Sequence, residues 1–292
     1  MTRRAFGFLL VFLLSAPLTA QTPWQPPRTP DGQPDMQGIW RFDPGPKPEG
    51  PGGISAMVSL EGERGPLWQD MSPWLQAETT VSGFKMLAPS YVVDPPDGKI
   101  PYQPWTTGRR REFFANQRTP TKREHIDPNN RGWLTGVPRI QHYPPPFQIL
   151  QVPGFVVLLY ENKHAYRVVP LDGRPHVGES LKLFMGDSRG RWEGNTLIVD
   201  VTNQDARTWL DGLSFHGDGL HVTERWTPVS PERIDYRATF TDPTMFTQPW
   251  TIAYSFIHDA RVSEIWEQAD HEGERDVERI LRGGGDAGRR KE

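Results

Sequence analysis

The sequence predicts an all-β protein with minor α: an antiparallel meander that forms a barrel or a strongly curved sheet, preceded by a Pro-rich arm. Three observations carry that expectation. From residue 147 onward, runs of strand length alternate apolar and polar positions, the period-2 pattern of strands with one buried face. The links between those runs are short and hold Pro, Asp, Asn and Gly, as hairpin loops do. The chain of 292 residues carries 30 Pro and 28 Gly, which marks many turns and much irregular backbone.

Each segment has its own signal. Residues 1–20 read as a signal peptide. Arg3 and Arg4 precede an apolar run, Ala5 to Leu14, and small residues lead to an expected cut between Ala20 and Gln21. The apolar run is shorter than the roughly 20 residues that a bilayer span needs. Residues 21–66 read as an extended Pro/Gly-rich arm with a short strand at Met36–Phe42. Residues 67–146 read as an irregular, short-helix segment packing on the barrel. Within it, 105–117 has helical spacing with Thr106 or Thr107 as cap, Phe113 and Phe114 turned inward and the arginines turned to water. Residues 127–139 have loop composition.

The β core is expected over 147–280. Its strands are Phe147–Val152, Phe155–Glu161 and, beyond a tight turn at Asn162-Lys163, His164–Leu171. Gly186–Gly194 reads as loop or turn. Thr196–Thr202, Leu220–Thr227, Arg233–Thr241, Trp250–His258 and Val262–Ala269 follow as strands, and 281–292 as a disordered tail. A meander of this length curls into a barrel because closure removes sticky edges; a sandwich is the structural alternative.

Composition excludes several functions. With no Cys there is no disulfide, zinc–thiolate site, iron–sulfur cluster or Cys nucleophile. Residues 1–20 hold two Arg and no acid, so cleavage takes the net charge from -3 to -5. That mild acidic excess, without a basic stripe, disfavours nucleic acid as a partner. No later run is long enough to span a membrane, so a mature protein without a membrane span, periplasmic or secreted, is expected. No cofactor and no metal are expected. His216, His221 and Glu224 are zinc-type ligands, but His221 and Glu224 point to opposite faces of a strand. Gly186-Asp187-Ser188 matches three residues of a Ser-hydrolase motif and fits an ordinary turn better.

The strand faces point to a site. Leu220, Val222, Glu224 and Trp226 share one face of their strand, and Ile234, Tyr236, Ala238 and Phe240 share one of the next. Glu224 is then a carboxylate among apolar neighbours, costly unless paired. Arg167 or Arg237 is the expected partner. The 202–221 loop, with Trp209, Asp211, His216 and His221, would lie at the barrel mouth, where loops commonly carry function. An exposed Trp209 beside Asp211 suits stacking on a ligand ring. Trp226, Tyr236, Arg167 and His164 complete the expected binding set.

The stretches "RTPDGQPDMQGIW" (28–40), "GVPRIQHYPPPFQILQ" (136–151), "YENKHAYRVVPLDGRPH" (160–176), "GDSRGRWEGNTLIVDVTN" (186–203), "LHVTERWTPV" (220–229) and "HEGERDVERIL" (271–281) resemble a large uncharacterised family of exported bacterial proteins. That family has no assigned activity, so the resemblance brings no catalytic residues. Gly38-Ile39-Trp40 is similar to the opening strand of calycin-type, lipocalin-like barrels, which favours a calycin-like barrel over a sandwich. The function expected first is an exported small-molecule-binding protein holding an aromatic or lipophilic ligand in a Trp-rich cavity. One alternative is a cofactor-independent acid/base enzyme (isomerase, hydratase or lyase), with Glu224 as base or acid and His221 or Arg225 stabilising charge. Another is a structural or interaction protein of the cell envelope, docking through its Pro-rich arm.

Overall fold

Among the described residues, nine strands lie side by side in chain order, bent into a nearly closed barrel. The computed structural model describes residues 24–43, 90–116, 120–142, 146–212, 214–258, 260, 262–268 and 275–283. The expected signal peptide, the arm beyond residue 43, residues 67–89 of the segment after it and the tail beyond residue 283 lie outside the described residues. The strands are β1 (Gly38–Asp43), a short β2 (Val92–Asp94), β3 (Phe147–Val152), β4 (Phe155–Tyr160), β5 (Tyr166–Pro170), β6 (Asp187–Glu193), β7 (Thr196–Thr202), β8 (His221–Ser230), β9 (Arg233–Thr241) and β10 (Trp250–His258). They pair in the order β5-β4-β3-β1-β10-β9-β8-β7-β6. β1 joins β3 to β10, so the N-terminal strand ties the start of the meander to its end. β2 continues the same edge, pairing with β10 at Thr251 and Ile252.

Every ladder in this order is antiparallel. An odd number of strands alternating in direction leaves one neighbouring pair parallel, and that pair is β5 and β6. A parallel pair needs a crossover of a dozen or more residues rather than a hairpin, which is the role of residues 171–186. β5 and β6 form the two ends of the hydrogen-bonded order but touch through side chains. A Cβ added at Gly190 would lie 2.7 Å from both Val169 Cγ1 and Leu171 Cδ2. Glycine therefore lets β6 close on β5 at that level.

Inward positions alternate as the period-2 pattern requires. Leu197, Val199, Val201, Val222, Trp226, Ile234, Tyr236, Phe240, Ile252 and Phe256 are all buried. Trp226 stacks on Phe256 with centroids 4.9 Å apart, and Phe240 on Trp250 at 4.0 Å. Such pairs contribute about 0.5–1.5 kcal/mol each beyond burial.

The helices are α1 (Thr107–Ala115), α2 (Arg139–His142) and α3 (Asp276–Gly283). α1 lies within the expected helix, with Thr106 before it, but its arginines do not all face water. Arg110 is buried with its guanidinium 4.2 Å from the Tyr102 ring centroid, where cation–π contact replaces hydration, whereas Arg109 stays exposed as expected, 4.9 Å from the Phe215 centroid. Three further expectations are corrected. Gly186–Gly194 holds strand β6, because β7 supplies a full ladder that outweighs its turn-like composition. The described part of Val262–Ala269 makes only an isolated bridge, Asn162 to Gln268. Residues 281–283 belong to α3 rather than to a disordered tail.

Candidate functional site

Glu224 sits fully buried on the inner face of β8. β5, α2 and β9 each aim a donor at it. Arg167 of β5 donates Nη2 to Oε2 at 2.5 Å and Nη1 to Oε1 at 3.3 Å. Gln141 of α2 donates Nε2 to Oε1 at 2.5 Å, and the Tyr236 hydroxyl of β9 donates to Oε1 at 2.8 Å. Arg167 Nη2 also donates to Ser188 Oγ at 3.0 Å, across the seam. The sequence left Arg167 and Arg237 open as the partner of Glu224. Arg167 is the residue; Arg237 lies on the outward face of β9, because inward Tyr236 and Ala238 flank it.

This polar cluster is richer than its bonds. Among the described residues, buried polar atoms without a hydrogen-bond partner include Gln141 Oε1 and Arg167 Nε, on two of the donors to Glu224, Trp226 Nε1 on the same face of β8, and His142 Nδ1, whose ring lies against Tyr254. The Tyr160 hydroxyl lies toward Arg167 and that of Tyr254 toward Tyr236, yet neither completes a well-formed hydrogen bond. Unused hydrogen-bonding capacity in a barrel interior is uncommon and sets this cluster apart from the apolar core around it. Burial pushes the tyrosines Tyr160, Tyr236 and Tyr254 above the ordinary phenol range, with the Glu224 charge adding to it. Burial, reinforced by Arg139, pulls His142 down to about 3, which keeps its imidazole neutral. Burial by itself would lower the pKa of Arg167; the carboxylate of Glu224 more than offsets it, so the guanidinium stays charged.

The seam gives the cluster an outlet. A groove of about 440 Å³ opens beside the starts of β5 and β6, lined by residues 163–168 and 183–188 with Leu134. That volume is within the range of small-molecule sites. Arg167 and Ser188 belong both to the groove and to the interior network. Lys163 and His164 shape the rim with positive φ of 55° and 52°, a conformation that costs side-chain-bearing residues about 1–2 kcal/mol each. His164 pairs there with Glu267 at 3.1 Å.

The other expected site residues lie elsewhere. His221 and Arg225 occupy the outer face of β8, since the strand period separates them from Glu224. His221 Nε2 meets Asp200 Oδ1 at 2.5 Å, the other oxygen of Asp200 meets His176 Nε2 at 2.9 Å, and His176 Nδ1 meets Asp187 Oδ2 at 2.8 Å. Arg225 pairs with Glu193 at 3.2 Å. Trp209 is not an exposed stacking platform. It is buried against Phe113 and Phe215, while Asp211 bonds the backbone and side chain of Ser214. Trp226 is in the interior, but among the described residues no Trp lines the seam groove, so the expectation of a Trp-rich cavity does not describe it.

Sequence reasoning thus named Glu224, Arg167, Tyr236, Trp226 and His164; the structure brings the first four together and puts His164 at the groove. Sequence reasoning missed Ser188, Gln141, His142, Tyr160 and Tyr254. The alternation in Phe155–Tyr160 and Trp250–His258 was signal enough for the two tyrosines; nothing local announced that Gln141 reaches Glu224. Among the described residues no group of three or more His, Asp or Glu is disposed to hold a metal ion, and no helix is long and apolar enough to cross a membrane. Comparison with known proteins found no matching family model, no similar curated protein and no similar solved structure.

Proposed function

We propose that this chain is an exported small-molecule-binding protein that takes its ligand at the β5/β6 seam, against Arg167 and Ser188. The observation that carries the reading is a ligand-sized groove sharing two residues with a buried polar network that has unused hydrogen-bonding capacity. Export is inferred from the pattern of residues 1–20 and from the motifs of the exported bacterial family. The acid/base alternative finds less support. Glu224 is held by donors from three elements, and neither the raised tyrosines nor neutral His142 exchange protons readily near neutral pH.

A thermal-shift screen of aromatic and lipophilic compounds tests this. Leu183 lines the groove and is partly exposed, so Leu183→Trp fills the groove without entering the barrel. True ligands should stabilise the wild type, by about 2.7 kcal/mol at a hundredfold excess over Kd, and leave Leu183→Trp unmoved. A screen in which no compound separates the two proteins refutes the proposal.

A further inference from the structure

The groove is furnished with charges, yet these are already matched. Arg167 is paired with Glu224, Asp187 with Arg189 and His176, and His164 with Glu267. Lys163 also engages a neighbour. Hydrogen-bond donation remains uncommitted at the inner wall. Among the described residues Arg167 Nε–H completes no well-formed hydrogen bond, although the Tyr160 hydroxyl lies toward that side chain. Ser188 Oγ accepts from Arg167 through a lone pair, which leaves the hydroxyl proton available. The apolar lining comes from Leu134, Ala165, Val168, Leu183, Phe184 and Met185.

The geometry points to an uncharged ligand whose polar end accepts hydrogen bonds, such as a carbonyl or amide oxygen on an apolar body, bound polar end first between β5 and β6. This inference rests on the small-molecule reading of the groove and adds its selectivity. An anion at the inner wall would find Arg167 already neutralised and would lie one guanidinium away from the Glu224 carboxylate. A cation would face Arg167 and two donor hydrogens. Either must break a buried ion pair or lose its hydration without a countercharge, both strongly unfavourable. A neutral acceptor does neither, and it satisfies the two idle donors.

Benzamide, benzoate and benzamidine share a ring and a planar, Y-shaped head and differ in charge. They should be titrated separately into the full-length protein at neutral pH, with ligand-observed NMR to give the affinities. Benzamide should bind at least about tenfold more tightly than either charged isostere. Ser188→Ala should weaken benzamide binding; because it also removes the acceptor of Arg167 Nη2, the affinities are compared at a temperature at which the free variant is still folded. Equal or tighter binding of benzoate or benzamidine overturns the inference but keeps the groove as a binding site. If none of the three binds, the inference falls; the Leu183→Trp screen then decides separately whether the groove reading falls with it.

Discussion

The two faces of β8 hold the same kind of chemistry in opposite settings. Inward, Glu224 pairs with Arg167 where neither side chain is more than 2% exposed. Outward and three residues away, His221 pairs with Asp200 at side-chain exposures of 45% and 29%. Water screens the outer pair and replaces either partner when it is lost. The inner pair has no such substitute, so removing one member leaves a charge buried without compensation. The distance between partners is 2.5 Å in both cases; burial, not geometry, separates the consequences.

The largest expected effect lies inside. Glu224→Gln keeps shape and some hydrogen bonding but strands Arg167, and should cost on the order of 3 kcal/mol or more in urea unfolding. The double variant Arg167→Met with Glu224→Leu should cost less than Glu224→Gln, because no charge stays buried. If the double variant is the less stable, the inner pair contributes net stability and the contrast with the outer wall narrows.

Next comes the seam. Gly190→Val should destabilise by about 1–3 kcal/mol, since the new side chain overlaps Val169 and Leu171. An unchanged midpoint would show that β5 and β6 separate freely.

On the outer wall, His221→Ala should cost under about 1 kcal/mol after screening, with a defined pH dependence. The bond to Asp200 raises the pKa of His221 above 6.5. Burial would raise that of Asp200, but its bonds to His221 and His176 prevail and hold it at about 2. The stability from His221 is complete below 6.5 and is lost as pH rises through its raised folded-state value. The stability from Asp200 is complete above 3.8 and is lost as pH falls toward 2. The difference between wild type and His221→Ala should therefore peak between those limits and shrink toward alkaline pH. A difference that grows above neutrality would mean the wrong group was assigned. Smallest of all, Arg225→Ala should leave the melting temperature unmoved, its pair with Glu193 being exposed on both sides.

Legibility followed the range of the interaction. The strands of residues 147–171 and 196–258 were readable because alternation is a local property, and so was the inward direction of Glu224, Trp226 and Tyr236. β6 was misread because three glycines with Asp and Ser mimic a turn, whereas Gly190 is there for closeness to β5. β2 was missed because three residues show no period. Trp209 was misplaced because the sequence does not say that Phe113, from a helix about a hundred residues earlier, will cover it.

By itself, the sequence determined the strand content, the faces and the need of Glu224 for a partner, since residue type and period 2 act within one strand. Only the tertiary structure decided that Arg167 is that partner, 57 residues away, and that Gln141 reaches the same carboxylate from 83 residues away. It also decided where the barrel stays open. Nine alternating strands must leave one parallel neighbour, and the parity of a closed sheet is a property of the whole circle rather than of any segment in it.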